Sequence, residues 1–276
     1  MSTKRFEKRK VWTSVGSALL VTTATVGTGV TQADDHAFVA PASSLVVSYA
    51  ALGEGEGEGE GEGATQADLS TDNAAYLARL GLMRGHLWVG IKLYREGHLE
   101  MAKTHMKHPK DELYAGLEPV FKARGVNGFA NELTILADAV NSEKGDEAVE
   151  EAYSKLLEAI TRSEGMSEMS AKEALVSISQ MIRTAADEYA IGVKKGEVVN
   201  VHEYQDAYGF TEIAIERLER LSDAQKQEAA GDIALTKSLL LELRTLWPTV
   251  NPKGDVEGDA SHLYGAAARI ELAAMN

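Results

Sequence analysis

"SAKEALVSISQMIRTAADEYAIGVKKG" runs from Ser170 to Gly196, and "VNVHEYQDAYGFTEIAIERLERL" follows from Val199 to Leu221. Ser170-x-x-Glu173 is a capping-box signature: a serine hydroxyl and a glutamate three residues on satisfy the free N–H groups at a helix start. Apolar residues behind it recur at steps of three and four, the period of a helix with one buried face. Gly196 ends that helix, and the next begins within a few residues. A helix, a glycine turn and a second helix make an antiparallel hairpin.

The same grammar extends outward in both directions. Upstream, Tyr76, Leu80, Leu87, Ile91 and Tyr94 form one stripe, with Gly97 as its C-cap. A short helix is expected from His98 to about Lys107, with Pro109 restarting the chain. A third covers Lys110 to Arg124, with Pro119 as a kink or restart. "FANELTILADAV" and "DEAVEEAYSKLLEAI" are two more. Downstream, Ser222-x-x-Gln225 is another capping box, heading a helix that reaches Trp247 and stops at Pro248. "ASHLYGAAARIELAA" is the last. No run of period-two alternation interrupts them. The expected fold is all-α: antiparallel helical bundles, about nine helices in two bundle-like halves, 71–166 and 167–276.

Before Ser70 the chain reads differently. "MSTKRFEKRK" is basic, an uncharged stretch follows, and "TQA" at Thr31–Ala33 offers the small residues of a cleavage site. Residues 1–33 are expected to be a signal peptide delivering the chain to the periplasm. A retained anchor is the alternative, but the threonines and glycines make a poor apolar helix. Residues 34–70 include "GEGEGEGEGEG" at Gly53–Gly63 and read as a Gly/Glu-rich linker.

Composition narrows the chemistry. The 276-residue chain has no cysteine, which excludes disulfides, thiol nucleophiles and cysteine-ligated metals. Its 28 Lys and Arg face 42 Asp and Glu. Taking away the five basic residues and one acidic residue of 1–33 leaves 23 against 41, a net charge of −18. So acidic a surface repels phosphate backbones and anionic lipid heads, and no nucleic acid or direct membrane insertion is expected after signal cleavage. It attracts cations, although plain solubility has the same signature. No Gly-x-Ser-x-Gly, phosphate loop, dinucleotide fingerprint or His-Glu-x-x-His is present. The reading is of a binding protein rather than an enzyme.

The seven histidines of the chain are unevenly spread. In "GHLEMAKTHMKHPKDE", from Gly97, the residues His98, Met101, His105, His108 and Glu112 follow steps of three and four and line one helix face. Imidazole with thioether suits copper; imidazole with carboxylate suits iron or zinc. His86, on the helix before, faces His105 or His98 if the two helices fold back at Gly97. Gly85 and Gly90 beside it let another backbone come close. The competing reading is structural: a histidine at a core margin is usually hydrogen-bonded, and methionines at helical spacing are usually packing. A second candidate is acidic and aromatic, with Glu188 on one helix and His202, Glu203 and Asp206 on the next. Its alternative is a solvated acidic face beside a Tyr-rich core.

The stretch from Asp187 to Phe210 resembles the helical extracytoplasmic segment of bacterial high-affinity iron permease family proteins. Glu188, Tyr189, Val193, Gly196, Val198, Asn200, Glu203, Tyr204, Asp206 and Phe210 carry the likeness. "LYREGHLEMAK" and "DELYAGLEPVFKARG" are similar to that family's upstream helical region, more loosely. "REGHLE" has Arg95 and Glu96 of the family's iron motif, with Leu99 where its second Glu belongs. The resemblance implies a relative of the periplasmic domain, without the permease's membrane helices, in a transition-metal uptake setting.

Two functions follow as expectations. In the first, the protein binds or delivers a transition-metal ion, iron first and copper second, to a membrane permease or another periplasmic metal-handling protein. Its ligands would come from His86, His98, Met101, His105, His108 and Glu112, with Glu203 and Asp206 as the acidic alternative. In the second, the protein is a metal-free helical module docking onto an envelope or permease complex.

Overall fold

The computed structural model describes residues 67–275. The expected signal peptide, and all but the last four residues of the expected linker, lie outside the described residues. Among the described residues the chain forms ten α-helices and one two-stranded ribbon.

Helix α1 (Asn73–Arg95) organises the rest. Asp72 caps it, its carboxylate accepting from the Ala75 N–H at 2.9 Å. Nearly every residue from Ala74 to Leu93 is buried, so α1 presents apolar surface all round and lies between two cores. Ala78 and Leu82 face a core built with α6 (Ala171–Gly192), α7 (Val201–Glu219), α9 (Ala230–Leu243) and α10 (Ala260–Met275). Tyr76, Leu80, Met83, Leu87 and Ile91 face the other, built with α2 (Leu99–His108), α3 (Glu118–Arg124), α4 (Ala130–Asn141) and α5 (Asp146–Glu164).

The α1–α2 turn is a Schellman motif. Gly97 takes φ +80°, its N–H bonds Tyr94 O at 3.0 Å, and the His98 N–H bonds Leu93 O at 2.8 Å. This reverses the chain and packs α2 back on α1. The helices α1 and α7 cross where two glycines meet. A Cβ on Gly209 would stand 2.4 Å from the Gly85 carbonyl oxygen, so neither position has room for a side chain.

Three boundaries differ from the sequence reading. Pro109 does not restart the chain: α2 runs into a π-helical turn, Pro109–Tyr114, with Pro109 itself at helical dihedrals. A proline ring crowds the carbonyl four residues back and supplies no N–H, and widening the turn accommodates it. Pro119 then stands in the first turn of α3, where its missing N–H costs nothing. Next, α6 ends at Gly192 rather than Gly196. Val193–Lys194 and Glu197–Val198 pair antiparallel, as strands β1 and β2, around Lys195 and Gly196, both at positive φ, as a type I′ hairpin turn requires. Finally, the helix headed by Ser222 breaks at Ala229 into α8 (Asp223–Glu228) and α9. The break lets Gln225 turn its amide onto the carbonyls of Met166 and Met169, at 3.0 and 2.6 Å, tying α8 to the turn before α6.

Candidate metal centre

Three helices converge on Asp206. It sits on the inner face of α7 and is 3% exposed. His86 comes from α1, beside the glycine crossing, and His105 from the middle of α2. One donor atom from each of His86, His105 and Asp206 lies within 4.8 Å of the others, and all three residues are buried. His86 Nδ1 is 2.7 Å from Asp206 Oδ1, and His105 Nδ1 is 3.2 Å from the same oxygen. On the other side of the carboxylate, His202 Nε2 is 3.2 Å from Oδ2. The His202 ring stacks on that of His105, with centroids 4.2 Å apart and planes 19° from parallel. Phe210 closes the site edge-on to His86 at 5.0 Å.

The hydrogen bonds around Gln205 fix the chemistry of His105. The Gln205 amide nitrogen donates to the Val250 carbonyl at 3.1 Å and reaches Met101 Sδ at 3.7 Å. Its amide oxygen is therefore the acceptor facing His105 Nε2, 2.9 Å away. His105 donates from Nε2, so the neutral ring carries its lone pair on Nδ1. In the neutral ring that lone pair faces a carboxylate oxygen 3.2 Å away; in the protonated ring Nδ1 carries a proton toward it. The two atoms are held together by whatever positive centre lies between them, a proton or a metal ion. A ring nitrogen bonded to a carbonyl oxygen while the other faces a carboxylate is also how metal-bound histidines are held in place.

The electrostatics match. Burial alone would raise the Asp206 carboxyl, but attraction to His86 and the contacts with His105 outweigh it and hold the group well below the ordinary carboxylate range. Glu188, on α6, goes the other way. Burial, the hydrogen bond to Glu203 and the charges of Glu203 and Asp206 push it up to about 9. At neutral pH Glu188 is thus a protonated donor to Glu203, beside an ionised Asp206.

Residues 163–274 match the family described as the iron permease-associated 4-helix bundle domain. Over that range the chain is similar to an iron permease-associated bundle. Neither a curated protein nor a solved structure matches the chain. The matched range takes in the Asp187–Phe210 stretch and all of α6 to α9, and it reaches Ala274 in α10. It stops short of α1 and α2. The bundle domain thus supplies Asp206, His202, Gln205, Glu188 and Glu203, while His86 and His105 come from helices upstream of it.

The other sequence candidates are distributed as follows. His98 is the N-cap residue of α2, two turns before His105, and lies outside the group formed by His86, His105 and Asp206. Met101 is half-buried, with its sulfur turned to Gln205. Glu203 pairs with Glu188 rather than joining the imidazoles. His108 ends α2 and Glu112 falls in the π-helical turn; their side chains are outside the described set. The sequence reading placed His202 on the face of Asp206 but not among the ligands, and it passed over Gln205. The i, i+4 spacing of His202 and Asp206 was the available signal for the first. Nothing local pointed to the second, whose partners come from α2 and from Val250.

A separate buried polar cluster stands at the other end of α7. Glu164 accepts from Arg84 at 3.3 Å, from Arg217 at 3.2 Å and from Arg220 at 2.8 Å, and Glu216 also binds Arg84. It joins α1, the end of α5 and α7.

Proposed function

We propose that this protein binds a transition-metal ion, iron before copper, at His86, His105 and Asp206, and holds it as cargo for an iron permease. The observation that carries the reading is the convergence of buried donors from three helices, His86, His105 and Asp206, with Gln205 holding His105 by Nε2 so that Nδ1 faces the carboxylate. The association of the matched bundle with iron permeases supplies the setting. Two imidazoles and one carboxylate form the mixed nitrogen–oxygen set that suits iron, and the Met101 thioether, the softest donor nearby, is engaged by Gln205. Among the described residues no helix is long and apolar enough to cross a membrane. The N-terminal segment, read as an export signal, would place the cargo in the periplasm.

Binding requires that His86 Nδ1 give up the proton it shares with Asp206, so uptake releases protons and weakens in acid. Titration of the purified protein with Fe2+ under anaerobic conditions, and with Cu2+ and Zn2+, tests the reading. One tightly held ion per chain is expected, weakened at least about tenfold in His105→Ala and in Asp206→Asn and unchanged in His98→Ala. No binding, or equal binding by wild type and His105→Ala, would contradict it. The cluster would then be a structural hydrogen-bond network, and the metal-free docking module would be the better account.

A further inference from the structure

Asp206 divides its two oxygens between different surroundings. Oδ1 faces His86 and His105, whose side chains are 7% and 0% exposed; Oδ2 faces His202, which is 24% exposed. Of these four residues only His202 reaches solvent. It lies in the first turn of α7, held there by the Asn200 side chain, which accepts from the His202 N–H at 3.1 Å. His202 and Asp206 are one turn apart on the same helix face, a spacing that lets an imidazole and a carboxylate share one ion. Their 3.2 Å separation fits that use, because ligands about 2.1 Å from an ion stand roughly 3 Å apart at right angles. The stacked His105 ring puts the inner donors immediately beside this pair.

Resting on the metal reading above, we propose that His202 and Asp206 Oδ2 form an outer capture station for the ion. The ion binds His202 Nε2 and Oδ2 at the surface, and the proton on Nε2 leaves to solvent. Asp206 then turns the ion from Oδ2 to Oδ1, where His86 and His105 replace His202. Among the described residues the outer pair offers two protein ligands and the inner set three, so the inner set holds the ion more tightly. Release runs the same steps backward, with His202 offering the ion to a partner at the surface.

Stopped-flow mixing with Co2+, whose visible bands report its ligands, tests the capture station. In His202→Ala, loading and chelator-driven release are both expected to slow by about tenfold, with the dissociation constant changed less than about threefold. The spectrum of the loaded protein should match wild type. Unchanged or faster exchange would overturn the proposal and make His202 a mere cover. An altered loaded spectrum would overturn it by making His202 a permanent ligand. His105→Ala separates the two levels, since it should abolish tight binding whatever His202 does. If wild type takes up no Co2+, the metal reading fails and the capture station with it.

Discussion

At the scale of single residues, the account turns on which nitrogen of His105 carries the proton. Val250, through Gln205, decides this from the far side of the site. Gln205→Leu removes the acceptor for Nε2 and frees the tautomer; metal affinity should fall by about tenfold although no ligand is lost, as isothermal titration would show. Glu188 offers a second test. Its folded-state value, about 9, lies above the ordinary 4.5, so the folded protein holds a proton that the unfolded chain releases. Stability should therefore fall as pH rises from about 4.5 toward 9. Glu188→Gln keeps a donor to Glu203 without the ionisable group. It should flatten that slope and stabilise the metal-free protein at pH 7 by on the order of 1–3 kcal/mol in urea melts. A variant no more stable than wild type would mean that Glu188 is already ionised. Some of this was legible in the sequence. The pairing of His202 with Asp206 follows from their spacing. That Asp206 stands opposite His105 does not follow, because their contact spans some hundred residues and depends on how α7 crosses α1.

Among the helices, the site depends on a close crossing. Gly85 and Gly209 bring α1 and α7 into backbone contact, which lets His86 reach Asp206. A methyl group at 209 would collide with the Gly85 carbonyl and the Val89 side chain. Gly209→Ala should cost about 1–3 kcal/mol in denaturant melts, and it should weaken metal binding although it touches no ligand. Normal stability and affinity in that variant would show that the crossing can open without loss. The sequence flagged Gly85 and Gly90 as places of close approach, and the capping boxes at Ser170 and Ser222 mark true helix starts. Helix ends were harder to read. Pro109 was expected to break the chain because a proline removes an α-helical hydrogen bond, but a wider π-helical turn avoids that conflict. Gly196 was read as a helix end when it is half of a hairpin turn. The strands it joins are two residues long, too short to show any alternation.

For the whole molecule, α1 is the shared wall of both cores, and the Glu164 cluster pins it to α5 and α7. Burial opposes ionisation of Glu164, but the guanidiniums of Arg84, Arg217 and Arg220 hold its carboxyl below the ordinary value. Its contribution is therefore present above about pH 4.5 and is lost as pH falls through the folded-state value. Glu164→Gln leaves the buried Arg217 without its counter-charge and should cost about 3–5 kcal/mol at neutral pH, with a shallower acid limb in pH-dependent melts. A variant as stable as wild type would make the cluster dispensable. The all-α architecture was legible because helix periodicity and caps are local signals. That α1 is sandwiched was not singled out, although its apolar residues on every side were the available clue. The candidate metal centre belongs to this scale as well, since its residues come from both sides of the boundary of the matched range. The most direct measurement is anomalous diffraction at the iron edge from crystals grown anaerobically with Fe2+. The account predicts one strong peak bonded to His86 Nδ1, His105 Nδ1 and an Asp206 oxygen, with Gln205 still holding His105 Nε2. Crystals with no peak there, and with both rings in their hydrogen bonds, would contradict it.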